Sequence, residues 1–310
     1  MKTKKLIISA LILSLTFPIF AQVTEAEKNL KTIETDTVAG WKKGGVTGLN
    51  LSQTSLVNWA AGGQNSFAVN GYFSGFANYK NAKTAWDNSL DVGYGVLKQG
   101  KNAGFMKTDD RLDILSKYGR IAFKDFYYTA LMNFKTQLNT GYNYPNTTSK
   151  ISDFLAPAYF LGAVGLNYLP NSNFNLFVAP VTGKITVVND AYLSSIGAFG
   201  VDPGKKSKSE FGGYVRAIYS KNNFGGEFFK NIALTSKIDL FSNYLKDPQN
   251  MDVSWENQIT MKVNKYITIN FNTHLVYDAD VKFDTNGDNI ADKAKIQFKE
   301  ILGVGIAYKF

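Results

Sequence analysis

From Trp41 onward, large apolar residues recur at every second position along most of the chain. Counting back from the end, Phe310, Tyr308, Ile306, Val304, Leu302, Glu300 and Phe298 share one parity, and Lys309, Ala307, Gly305, Gly303 and Ile301 share the other. Successive side chains of a strand point to opposite faces, so this segment predicts a strand with one bulky apolar face and one small or charged face. The same division separates Leu90, Val92, Tyr94 and Val96 from Ser89, Asp91, Gly93 and Gly95. It separates Ile267, Ile269, Phe271 and Leu275 from Thr268, Asn270, Asn272 and His274, and Ile259, Met261 and Val263 from Glu256, Gln258, Thr260 and Lys262. The period is two rather than 3.6. It predicts strands over Val46–Gln53, Phe67–Tyr79, Thr84–Leu97, Arg111–Tyr118, Phe126–Gln137, Phe160–Tyr168, Phe174–Val188, Glu210–Tyr219, Leu234–Ser242, Val253–Val263, Ile267–Tyr277 and Ile296–Phe310.

Alternation alone fits a soluble sandwich as well as a membrane barrel. The connections separate the two. Tyr79–Thr84, Leu169–Asn173 and Asn264–Tyr266 are short, whereas Asn139–Pro157, Asn189–Lys208 and Asp278–Lys295 are long, and the two kinds largely alternate. Tight turns on one side and long loops on the other are the habit of an outer-membrane barrel, whose bulky face meets lipid while its small face leaves room in the lumen. Aromatic residues near the strand ends (Trp41, Tyr79, Trp86, Tyr118, Tyr168, Tyr219, Trp255 and Tyr266) match interfacial girdles. The expected fold is therefore all-β, a transmembrane antiparallel β-barrel of about twelve strands. An even strand number returns both termini to the short-turn side, the periplasm.

The N-terminus carries a different signal. Lys2, Lys4 and Lys5 precede an apolar run from Leu6 to Phe20 that is too short to span a bilayer as a helix, and Ala21–Gln22 offers a cleavage point after a small residue. The chain then divides into a signal peptide at 1–21, a polar, acidic periplasmic tail at 22–40 with a short helix near Thr24–Leu30, and a barrel at 41–310. Composition agrees with strand: 23 Phe and 17 Tyr against 7 Pro. With no cysteine in the chain, disulfides, thiolate catalysis and Cys-based zinc sites are excluded. The formal charge of +9 falls to +6 once the three signal-peptide lysines are removed. Lys205, Lys206 and Lys208 form the densest basic group, short of the five- to eight-residue clusters that mark nucleic-acid binding, so no nucleic-acid partner is expected.

Ile306-Ala307-Tyr308-Lys309-Phe310 resembles the C-terminal signal by which outer-membrane barrels are recognised for insertion. The resemblance implies the barrel-assembly machinery as a partner through the strand ending in Phe310. More widely, Asn58–Gly63, Trp86–Asp91, Lys107–Asp110, Phe154–Tyr159, Gly197–Val201 and Asp239–Tyr244 resemble stretches of a Gram-negative outer-membrane barrel family known only as a domain of unknown function. The resemblance implies a barrel fold, the cell outer membrane as its address and the lipid bilayer as its surroundings. It implies no chemistry.

The sharpest local motif is Asp284-Thr285-Asn286-Gly287-Asp288-Asn289-Ile290-Ala291-Asp292. Side-chain oxygens of Asp284, Asn286, Asp288 and Asp292 and the carbonyl of Ile290 have the spacing to converge on one hard cation, so Ca²⁺ is the expected ligand. The motif resembles the calcium loops of thrombospondin type 3 repeats. It departs from the EF-hand, with Asn289 at the glycine position and Lys295 at the twelfth, where the bidentate Glu would stand. A solvated acidic loop with ordinary Asn-Gly turn chemistry is the alternative.

Catalysis finds little support. The one histidine, His274, has lumen parity, whereas outer-membrane phospholipases place a Ser-His pair on the outer face; no Gly-x-Ser-x-Gly is present. Asp109 and Asp110, as strand neighbours, point apart. Lumen parity instead collects charges of both signs: Asp91, Arg111, Asp113, Lys117, Lys135, Arg216, Lys237, Asp239, Glu256, Lys262 and Lys299. These either line a polar pore or knit the lumen shut. The leading expectation is a non-enzymatic channel or transporter for small polar solutes. A structural or assembly component with envelope protein partners is the alternative, and a membrane-embedded lipid hydrolase the third.

Overall fold

The computed structural model describes residues 39–57, 63–101, 104–222, 224–264, 267–283 and 292–309, with the side chains of 228 and 307–309 left aside. The signal peptide and tail up to residue 38, Tyr266 and Phe310 lie outside the described residues.

Twelve long strands form the wall: β1 (Gly40–Thr54), β2 (Ser66–Lys80), β3 (Thr84–Gln99), β4 (Met106–Phe123), β5 (Phe126–Thr136), β6 (Ala158–Asn171), β7 (Phe174–Val187), β8 (Ser207–Asn222), β9 (Ile232–Asn243), β10 (Met251–Lys262), β11 (Ile267–Tyr277) and β12 (Gln297–Lys309). Each pairs antiparallel with the next, and β12 returns to β1, closing the barrel. Closure leaves every strand a neighbour on both sides, the condition for crossing a bilayer with strands. No helix among the described residues is long and apolar enough to cross a membrane. Each strand expected from alternation is present. Several run past the expected ends, β1 from Gly40 and β4 over Met106–Phe123 among them, because ladder pairing continues beyond the apolar stretch that alternation detects.

The faces divide as parity requires. Val304 and Ile306 are 56% and 59% exposed on the outer wall. Trp41, Tyr79, Trp86 and Tyr118 occupy one register row across β1–β4. The rings of Trp41 and Tyr79 lie 5.5 Å apart and those of Trp41 and Trp86 5.7 Å apart, a girdle segment at the short-turn edge. The Trp86 indole N–H donates to Ser116 Oγ at 2.9 Å, so its polar end is satisfied on the apolar wall.

Within β7 the parity of the wall reverses. Pairing of β7 slips by one residue against both neighbours around Pro180. Proline lacks the N–H that a regular ladder needs and suits a bulge. Below it Asn175, Phe177 and Ala179 face inward; above it Thr182, Lys184 and Thr186 do. Opposite the bulge, a side chain at Gly165 would run into the Val178 carbonyl, so β6 keeps a glycine there.

On the long-loop edge, residues 139–157 and 189–206 are built into two packed loops. A two-stranded hairpin pairs Gly141–Tyr142 with Lys150–Ser152, and helix α1 (Ala191–Ser195) is capped by Asp190, whose side chain accepts from the Leu193 N–H at 2.9 Å. Ala156, Val188, Leu193 and Val201 form a small apolar core beneath them. Lys150 ties the two loops together, bonding Asp153 at 2.5 Å and Asp190 at 2.8 Å. Those bonds hold both carboxyls below their usual range and raise the Lys150 ammonium above its own.

Candidate functional site in the barrel lumen

Inward-facing residues of β5–β9 mix apolar and polar side chains. Leu131, Ala163, Phe177, Ala179, Tyr214 and Phe241 pack into one cluster across the lumen. Charges pair beside it. Arg216 and Asp239 are register partners on β8 and β9, hence on one face. Arg216 Nε and Nη2 donate to the two Asp239 oxygens at 2.6 and 3.0 Å, and the Tyr214 hydroxyl donates to Asp239 at 2.7 Å. Lys117 faces Asp87 at 3.6 Å, Lys135 faces Asp113 at 3.6 Å, and Lys237 meets Glu256 at 2.7 Å. Arg216, Lys117, Lys237, Asp87 and Asp239 are all buried. Cavities of about 110 and 30 Å³ lie between these side chains, and one of about 330 Å³ lies beside Glu210, Asp252 and Asp280 toward the long loops. The smallest accommodates roughly one or two water molecules.

Nearer the long-loop edge, Lys184 reaches across to Asp252 at 2.7 Å, Glu210 at 3.4 Å and Asp278 at 3.8 Å. Lys208 bonds Glu210 at 3.2 Å and also Asp280. Burial alone would raise the Asp280 carboxyl, but its bond to Lys208 and the nearby Lys246 hold it below the ordinary range.

The 110 Å³ cavity sits on the other side of the lumen, against β1–β4 and β10–β12. Asn50, Asp109, Arg111, Glu256, His274 and Lys299 line it. Lys299 of β12 crosses to Asp109 of β4 at 2.7 Å. Asp110 points the other way, accepting the N–H groups of Leu138 and Asn139 at 2.7 and 2.9 Å, so the two aspartates diverge as strand neighbours must. His274 lies in the lumen, as its parity requires. Its Nε2 is 2.9 Å from Ser254 Oγ, a pairing across β10 and β11 that no serine motif in the sequence announces.

Of the charges expected inside, Asp91, Arg111, Asp113, Lys117, Lys135, Arg216, Lys237, Asp239, Glu256 and Lys299 gather there, and the structure adds Asp87, Asp109, Lys184, Glu210 and Asp252 to them. Asp87 was within reach of the parity argument, since it shares parity with Ser89 and Asp91. Lys184 was not, because the bulge at Pro180 reverses its parity. Of the calcium motif, Asp284, Asn286, Asp288 and Ile290 lie outside the described residues. Asp292 is described, and its N–H donates to the Phe283 carbonyl at 3.1 Å at the base of a hairpin formed by Lys282–Phe283 and Lys293–Ala294. No group of three or more metal-binding side chains occurs among the described residues.

Residues 51–142 match the model of a family described as "Protein of unknown function (DUF3078)". That span contains the Asn58–Gly63, Trp86–Asp91 and Lys107–Asp110 stretches, while the other three lie beyond it. No curated protein matches the chain. Among solved structures, the chain is similar to an outer membrane channel from Pseudomonas putida F1, with 8% identity over 90% of this chain and 98% of that one and a TM-score of 0.39. It is similar to the translocator domain of the autotransporter NalP from Neisseria meningitidis, with 9% identity, 93% of each chain covered and a TM-score of 0.37. It is also similar to outer membrane phospholipase A from Escherichia coli, with 10% identity over 92% of this chain and 96% of that one and a TM-score of 0.37. The chain is a closed twelve-stranded antiparallel barrel.

Proposed function

We propose that this chain is a non-enzymatic component of the Gram-negative outer membrane that works with its lumen closed. The observation that carries this reading is the blocking of the lumen at mid-height: an apolar cluster and the Lys117–Asp87, Lys135–Asp113, Arg216–Asp239 and Lys237–Glu256 pairs span it. Buried ion pairs of this kind contribute little net stability but strongly resist the removal of one partner, so they suit a barrel that must stay shut. On this reading the short turns and both termini face the periplasm, and the assembly machinery inserts the chain through its C-terminal strand. The packed loops around α1 are the surface offered to other envelope proteins.

A channel for small polar solutes is the second reading, favoured by the chamber beside His274, where both signs of charge meet free volume. Planar-bilayer conductance of the purified barrel separates the two. The closed reading expects no steady opening at any voltage at which the bilayer is intact. Stable, protein-dependent conductance steps would establish the channel and remove the closed reading.

A further inference from the structure

β1 and β12 do not close the barrel along their full length. Among the described residues they share five ladder pairs, Val46–Asn50 with Lys309–Gly305. Every other seam of the wall has ten or more. Past Asn50, toward the long loops, Leu51–Thr54 continue as strand against β2 and Ile301–Val304 continue as strand against β11. No ladder pair joins these two stretches to each other. In a bilayer an unpaired strand edge is unfavourable, so an unzipped seam is a specific feature of this wall.

The 110 Å³ chamber lies directly inside that seam. Asn50 and Ile301 belong to the two seam strands and also line the chamber. The Asn50 amide oxygen is buried there without a hydrogen-bond partner. The chamber also holds two of the lumen's more accessible cations. The side chains of Arg111 and Lys299 are 49% and 48% exposed, against 6% for Arg216 and 7% for Lys117 and Lys237. Lys299 has Asp109, but among the described residues the Arg111 guanidinium makes one ion pair, at 3.9 Å to Glu256, too long for a hydrogen bond. A guanidinium has five donors in a fork that matches phosphate oxygens. The rest of the lumen is walled off by the Lys237–Glu256 and Arg216–Asp239 pairs, and Lys184 crosses its mouth. Outside the seam, Leu51 and Leu302 present exposed apolar surface.

We propose that the β1–β12 seam is a lateral entrance through which the phosphate-bearing head group of a membrane lipid reaches Arg111 and Lys299, while its acyl chains stay in the bilayer against Leu51 and Leu302. The amine or hydroxyl end of such a head group meets Asp109 and Glu256, which gives the mixed charge of the chamber a single purpose. Entry from the bilayer needs no open pore.

The test uses the full-length barrel in detergent, with phosphatidylethanolamine binding followed by native mass spectrometry and inorganic phosphate binding by calorimetry. One lipid per barrel is expected. Arg111→Gln and Lys299→Gln should each weaken it by about tenfold. Leu51→Cys with Val304→Cys introduces the chain's only two thiols at positions that the β1–β12 register, extended, places opposite each other. Oxidising them should abolish lipid binding and reducing them should restore it. That reversal within one folded sample separates the effect from misfolding, and heat-modifiable mobility verifies the charge variants. Lipid binding that survives both charge substitutions, or the oxidised lock, overturns the proposal. So does binding of inorganic phosphate to the locked barrel with none of the lipid, which would mark the chamber as a site for a free anion reached from water.

Discussion

The pair formed by Arg216 and Asp239 measures how dry the lumen is. Asp239 accepts two hydrogen bonds from Arg216 and one from Tyr214, and both charged residues are buried. Arg216→Met leaves a carboxylate with one hydroxyl donor. Lys237, two residues along the same strand, is held by Glu256 at 2.7 Å and is not free to replace the guanidinium. Breaking a desolvated pair in this way costs about 3–5 kcal/mol. Replacing both partners by apolar residues of similar size is close to neutral, apart from the Tyr214 hydroxyl, whose loss of a partner costs about 1–3 kcal/mol. Arg216→Met/Asp239→Leu/Tyr214→Phe should therefore recover most of what Arg216→Met loses. The assay is reversible urea unfolding of the barrel in micelles, read by the heat-modifiable shift on gels and by tryptophan fluorescence. A single-variant loss below about 1 kcal/mol would mean that water replaces the guanidinium freely. The lumen would then be hydrated at this level, and the reasoning that it is sealed would fail.

Three further outcomes follow from other parts of the molecule. Val304→Arg should cost about 2–4 kcal/mol in the same assay because that side chain faces lipid, whereas a neutral result would place the β12 register one residue out. The Lys150 tie has a defined pH window. The Asp153 and Asp190 carboxyls are lowered, so their contribution is present above the ordinary carboxylate value of about 4 and is lost as pH falls through their folded values. Lys150 is raised, so its contribution is present below about 10.4 and is lost as pH rises through its folded value. Hydrogen-exchange protection of the Leu193 amide should hold from pH 7 to 5 and fall below about pH 4; constant protection down to pH 2.5 would contradict this. For the Asp284–Asp292 motif, millimolar calcium should protect the loop from proteolysis and Asp288→Ala should remove that protection. Equal cleavage in calcium and in chelator would favour an ordinary solvated loop.

The wall was legible in the sequence because lipid contact imposes a rule on each strand separately. Leu90, Val92 and Tyr94, or Ile267, Ile269 and Phe271, announce a face without reference to anything distant. The lumen was only half legible. Parity put Arg216, Lys237 and Glu256 inside but gave no partners, since partners come from register and from approach across the barrel. Lys299 and Asp109 are joined by neither strand nor turn, and only closure brings them together. Lys184 was hidden by a single residue, Pro180, whose bulge reverses the parity of everything beyond it in β7. The packed loops were read as long connections and no more, because their small core of Ala156, Val188, Leu193 and Val201 has no period to detect. The short β1–β12 seam leaves no trace in composition either, as both strands alternate well past the point where their pairing stops.

The central claim, that the barrel is shut by its own side chains, is tested most directly by osmotic swelling of proteoliposomes. Vesicles loaded with an impermeant dextran and carrying the refolded barrel would be diluted into small polar solutes: glycine, a pentose and lysine. The account predicts swelling no faster than in protein-free vesicles for all three. Swelling that rises in proportion to the amount of barrel, for any of them, would contradict it.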